Sequence, residues 1–156
     1  MTEESIELIL REKIQRFIRV FGLLRNQTPC GKPISVSAAH ALMSLKTAGR
    51  EGPLSQGDIQ KTLALDKSNV TRLCRALEED GYILQRQSED DRRVHQVSLT
   101  KKGYRLADSL LKASRGRFSE ILEQISKDEL LQIFHSLDVL SNAIHEANMR
   151  EERKKV

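Results

Sequence analysis

Apolar residues recur at alternating steps of four and three over the first two dozen positions: Ile6, Leu10, Ile14, Phe17, Phe21 and Leu24. That is the period of an amphipathic helix, predicted over 3–24. Arg11, Lys13, Arg16 and Arg19 fill its other sides and read as a solvated face. Pro29, Gly31 and Pro33 break the chain into a loop over 25–34. A second helix is expected over 35–48, with Ala39, Leu42, Met43 and Leu45 turned inward. After the break at Gly49, Gly52 and Pro53, Ser55 suits an N-cap, with Asp58 three residues on as a short-armed capping box. Ile59 and Leu63 then face inward from a short third helix. Asp66 caps a fourth, whose Val70, Leu73, Cys74 and Leu77 share one side and whose end is marked by Gly81.

Past Gly81 the period changes from helical to alternating. Residues 82–86 and 94–99 read as two strands joined by a charged tip over 87–93. Thr100 should cap a long fifth helix with the inward stripe Ala107, Leu111, Ser114, Phe118, Leu122 and Ile125. Ser126 and Glu129 form a second capping box and open a sixth helix. Its stripe of Leu130, Ile133, Leu137, Leu140, Ile144 and Ala147 is nearly a coiled-coil seam. Leu131 and Phe134 widen it beyond what one thin subunit can bury.

The fold class that follows is mainly α. A winged helix-turn-helix with a two-stranded β wing occupies 35–100, and terminal helices flank it over 1–34 and 101–156, all in one subunit. Those ends carry the surplus apolar surface, and a homodimer buries it most economically across a two-fold axis.

The fourth helix also carries the candidate chemistry. About half a turn from its apolar side lie Ser68, Thr71, Arg72 and Arg75. Hydroxyls and guanidinium groups on an outward face suit the phosphates and base edges of a DNA major groove. A helix-turn-helix presents its second helix in that way. Glu78, Glu79 and Asp80 repel phosphate, so that end of the helix should lie clear of the groove. The formal net charge of +4 permits an anionic partner without proving one.

At this point the stretch resembles the winged helix-turn-helix of the MarR family of bacterial transcriptional regulators. The resemblance rests on Asp66-Lys67-Ser68-x-Val70-Thr71-Arg72-Leu73, on Leu77-Glu78-x-x-Gly81-Tyr82, and above all on Asp91-x-Arg93 followed by Val97-x-Leu99-Thr100-x-x-Gly103. Asp90-x-Arg92 fits the same short pattern, and the spacing to Leu99-Thr100 favours Asp91 and Arg93. The resemblance implies a homodimer joined through the terminal helices. It implies a DNA-binding regulator on an inverted-repeat operator, expected to repress genes near its own and to respond to a small-molecule effector. Arg93 would enter the minor groove, where an arginine meets enhanced negative potential. Arg92 is the second candidate for that place. Asp91 either holds Arg93 by a charge-assisted hydrogen bond or makes the turn. The effector would lie near Phe17, Phe21, His40 and Met43, residues that are more often plain core. The alternative function is a winged-helix protein-interaction module that does not bind DNA.

Other chemistries find less support. Cys30 and Cys74 stand in no paired-ligand spacing, so neither a disulfide framework nor a zinc ribbon is indicated. Cys74 falls on the core side of its helix; Cys30 is conceivable as a redox sensor, or as a zinc ligand with His40. Neither reading has a supporting pattern, and no metal or cofactor is expected. Ser98-Leu99-Thr100-Lys101 matches S-x-x-K, but no companion motif of that enzyme chemistry follows. His135 and His145 read as surface or interface residues. No enzyme is expected. The acidic start and the lack of a long apolar run predict a cytoplasmic protein without a membrane segment.

Overall fold

The computed structural model describes residues 2–25, 27–49, 52–89 and 91–154, apart from the side chains of Glu3 and Glu152. Asp90, and with it one arm of the ambiguous wing pattern, lies outside the described residues. The helices are α1 (Glu3–Phe21), α2 (Val36–Ala48), α3 (Gln56–Leu63), α4 (Lys67–Glu79), α5 (Lys101–Leu122) and α6 (Lys127–Lys154); the strands are β1 (Leu54–Ser55), β2 (Ile83–Gln87) and β3 (His95–Leu99). The chain divides into two compact units, residues 1–117 and 118–156.

In the first unit, α2, α3 and α4 pack with the sheet. The side chains that fill their centre include Leu42, Ile59, Val70, Cys74, Ile83, Val97 and Leu110, all fully buried. Four helix starts form as their sequences dictate. Ser35 caps α2 through the Ala38 amide, and Asp66 caps α4 through the Asn69 amide. Ser55 and Asp58 complete a reciprocal capping box on α3, and Ser126 with Glu129 does the same before α6. The helix-turn-helix corner passes through Ala64 in the left-handed region (φ 50). A side chain there costs roughly 1–2 kcal/mol, and the cost is offset where Leu65, just beyond, packs against the core.

The wing hairpin has the expected strands, with Ile83 opposite Leu99 and Gln85 opposite Val97. A third strand joins it. Leu54 and Ser55 pair with Val97 and Gln96, giving an antiparallel sheet in the order β1-β3-β2. Two residues leave too short a pattern to read locally, and their partners lie some forty positions on.

The turn between α4 and the wing explains why residue 103 is glycine. The Thr100 hydroxyl donates to the Gly81 carbonyl at 2.7 Å and accepts from the Gly103 amide at 3.0 Å, so it ties the turn to the start of α5. That brings α5 so close that a Cβ on Gly103 would sit 2.0 Å from the Tyr82 carbonyl oxygen. Lys102 closes the same corner, its ammonium 2.6 Å from the Asp80 carbonyl oxygen and 4.4 Å from the centre of the Tyr82 ring.

Two expectations shift. The first helix ends at Phe21, because Gly22 takes a left-handed conformation (φ 83) and leaves Leu24 beyond the helix. On α5 the buried residues are Gly103, Ala107 and Leu110, with Leu111 half-buried beside them. Farther along the stripe, Phe118 and Leu122 are exposed. The second unit holds the last turn of α5 and all of α6, whose Leu131, Phe134, Leu137 and Ile144 are exposed.

Candidate nucleic-acid interface

Helix α4 turns Val70, Cys74 and Leu77 into the core and leaves Ser68, Thr71, Arg72 and Arg75 exposed. The N-cap organises the first turn of that outer face. Asp66 accepts from the Asn69 amide at 2.7 Å and from the Ser68 hydroxyl at 2.8 Å, and the Asn69 side-chain amide also bonds to it. These donors, the Asn69 amide first, hold the Asp66 carboxyl below the usual aspartate range. The Asn69 oxygen in turn accepts from the Arg72 guanidinium at 2.5 Å. Arg72 is thus steadied by a chain of hydrogen bonds running back to the cap. Thr71 donates its hydroxyl to the Lys67 carbonyl at 2.9 Å, which leaves its lone pairs facing outward.

Arg75 pairs with Glu79 at 3.1 Å, both side chains largely exposed. Such a pair contributes about 0.3–0.5 kcal/mol, too little to keep the guanidinium from a stronger anion. Glu79 therefore moderates Arg75 without disabling it.

At the wing tip, the Asp91 carboxylate accepts from the Arg93 backbone amide at 2.9 Å, and the Asp91 carbonyl accepts from the Val94 amide at 2.9 Å. Asp91 therefore orders Arg93 through its main chain, as in an Asx turn. Among the described residues it forms no ion pair with the guanidinium. Arg92 and Arg93 are both exposed.

A groove of about 790 Å³ lies between these elements. Lys67, Thr71 and Arg75 line it from α4, Gln56 and Gln60 from α3, Gln85 from β2, and Arg93 and His95 from the wing. It gathers Thr71, Arg75 and Arg93 on one concave surface. Ser68, Arg72, Arg92 and Asp91 are exposed outside it. Three of its lining residues are cationic, and its one carboxylate, Glu78, is engaged by Gln85. The surface thus offers positive charge with amide and hydroxyl groups beside it, a set that suits phosphates and base edges. Gln56, Gln60 and Gln85 were not singled out from the sequence. The polar i, i+4 pair Gln56 and Gln60 was the available signal; nothing local marks Gln85.

The remaining candidates lie elsewhere. Phe17 and Phe21 stack with ring centres 5.4 Å apart, yet Phe17 stays half exposed. His40 is exposed, and Met43 packs against the core. None of the four lines the groove. Cys74 is fully buried, and burial, with Glu78 adding to it, pushes its thiol up to about 11. Such a thiol is inert at neutral pH. Cys30 is half-buried, its sulfur 3.0 Å from the Thr28 hydroxyl.

The chain is similar in sequence and fold to known proteins. A model described as the MarR family matches residues 34–95. The chain is 30% identical over 121 residues to the HTH-type transcriptional regulator PapX of Escherichia coli, covering 74% of this chain and 72% of that one. It is 29% identical to the uncharacterized HTH-type transcriptional regulator YfiV of Bacillus subtilis, over 66% of this chain and 64% of that relative's length. Among solved structures, MepR of S. aureus in complex with DNA is similar in fold, with a TM-score of 0.66 and 21% identity, over 92% of this chain and 99% of that one.

Proposed function

This chain belongs to the MarR family of transcriptional regulators, and we propose that it is a repressor that binds an inverted-repeat operator as a homodimer. The observation that carries the reading is the groove that unites Thr71 and Arg75 of α4 with Arg93 of the wing. In this arrangement α4 enters the major groove, where Arg72 or Arg75 reads guanine, and Arg93 enters the adjacent minor groove. A two-fold dimer sets half-site centres about one helical turn apart, roughly 34 Å. The dimer forms through the apolar faces that α1 and α6 leave exposed. A small effector acts near Phe17, Phe21, His40 and Met43, and the protein works in the cytoplasm, where its DNA is. The test is a mobility-shift assay with the duplex upstream of the protein's own coding sequence and with duplexes selected by the protein from a random pool. Retention of one inverted repeat at nanomolar concentration is expected. A folded protein that selects no duplex overturns the reading and leaves the protein-interaction module in its place.

A further inference from the structure

Gln85 sits where three elements meet. Its side-chain amide donates to one oxygen of Glu78 at 2.8 Å, and its backbone amide donates to the other at 2.8 Å. Its carbonyl oxygen accepts from the Gln56 side chain at 2.5 Å. Glu78 lies on the last turn of α4, Gln56 begins α3, and Gln85 is the middle residue of β2. The wing is held to the core by Ile83, two residues nearer the base, and by Val97, directly opposite Gln85, both fully buried. Beyond this level Arg86, Gln87 and His95 are exposed, Gln96 is half-buried opposite Ser55 of β1, and Ser88 is buried on the way to the tip that bears Arg93. Gln85 thus bonds the hairpin to both helices of the helix-turn-helix at the level of Val97.

We propose that Gln85, through Glu78 and Gln56, is a positioning residue that fixes where the wing arginine stands relative to α4. The inference rests on the reading of Arg93 as a DNA contact. Without the Gln85 bonds, core packing and the two-residue pairing with β1 would hold the hairpin, with β2 no longer tied to either helix at this level, and a small rotation at the base moves the tip by more. A two-part interface is strongest when both parts arrive in register without further ordering. The bonds are arranged for this. Glu78, an acid beside a DNA-binding surface, spends both oxygens on Gln85, so its repulsion is turned into a fixture.

The network makes a specific exchange possible. Gln85→Glu alone sets two carboxylates face to face and loses a donor. Adding Glu78→Gln restores all three bonds at unchanged net charge: the bond between the side chains at 78 and 85 reverses its donor and acceptor, and the residue 85 backbone amide and the Gln56 amide donate as before. The experiment measures affinity for a fluorescent duplex selected by the wild-type protein, with thermal melting as a control. It uses wild type, Gln85→Glu, the exchanged pair, and Gln85→Ala, each with and without Arg93→Ala. Gln85→Glu should weaken binding about tenfold, and the exchange should recover it to within about twofold. Arg93→Ala should cost a much smaller factor in the Gln85→Ala background than in wild type. Equal factors in both backgrounds, or an exchange that recovers nothing, overturn the positioning role while leaving the wing as a DNA contact. If Arg93→Ala is silent in the wild type, the wing reading itself fails and the positioning role with it.

Discussion

Among the described residues, the buried apolar side chains all lie between Ala38 and Leu110, whereas the large apolar ones left exposed cluster at both ends. Ile6, Leu10, Phe17 and Val20 are open on α1, and Leu131, Phe134, Leu137 and Ile144 on α6, with Leu84 and Tyr104 the exceptions in the middle. Both regions are written in the same helical period. In the centre each stripe meets another from the same chain, so α4 presents Val70, Cys74 and Leu77 to the side chains of α2 and the sheet. At the ends, among the described residues, much of each stripe stays exposed. A pattern therefore states that a face will be buried, and says nothing of which molecule buries it.

The widest break in this contrast comes from the ends. Leu137→Asp should abolish dimerisation, because an unpaired carboxylate at a packed seam costs about 3–5 kcal/mol. The central domain should keep its fold, since Leu137 is exposed in the single chain. Sedimentation or light scattering reads the dimer, and operator binding should fail with it. A variant that remains a dimer with unchanged affinity would refute the assignment of the seam. The matching change in the centre is Leu42→Ala. Leu42 is fully buried, and such truncations cost about 2–5 kcal/mol. Its melting temperature should fall at every protein concentration, whereas the loss in Leu137→Asp should depend on concentration. If the two behave alike, the regions are one cooperative unit and the contrast is wrong.

The third prediction divides the DNA surface. Arg75→Ala, or Arg72→Ala, should cost about 1–3 kcal/mol of discrimination at one base pair. Arg93→Ala should weaken operator and unrelated DNA by similar factors and lower the salt slope by about one counterion per subunit. Binding of each variant to both kinds of duplex across a salt series tests it. Transfer of the loss to Arg92→Ala means that the other arginine of the tip is the contact.

How much was legible follows from range. The caps at Ser55, Asp66 and Ser126 act over three residues, so the sequence states them directly. The outward face of α4 was legible because one period fixes both its sides. The strand at Leu54 was not, since its reason for existing is Val97 on another element. Gln85 was invisible for the same cause: its meaning depends on Glu78 and Gln56 arriving from either side. The Asp91–Arg93 pattern was readable as a unit, but the sequence left open whether the acid holds the side chain or the main chain. The bond that forms is to the main chain.

The smallest expected effect concerns what the two regions share, the capping carboxylates. Asp66 in the centre and Glu129 at the start of α6 both have lowered pKa values. The largest causes are the Asn69 amide for the first and the Ser126 hydroxyl for the second. A folded-state pKa below the unfolded one means that the unfolded chain binds protons first as pH falls. The stabilisation is therefore complete above the unfolded value, around pH 4, and is lost as pH drops through the lower folded value. Asp66→Asn keeps an N-cap side chain that cannot titrate and has one acceptor oxygen in place of two. Wild type should melt higher than this variant at pH 7, and the gap should close as pH falls from about 4 through the lowered folded-state value. Glu129→Gln should show the same narrowing with a smaller gap if α6 is held mainly by packing against a partner. Melting curves of the three proteins across that range decide it. A gap that is constant with pH means that the Asp66 carboxylate does not hold its cap by charge, and a gap for Glu129 as large as that for Asp66 means that α6 depends on its own first turn more than on any partner.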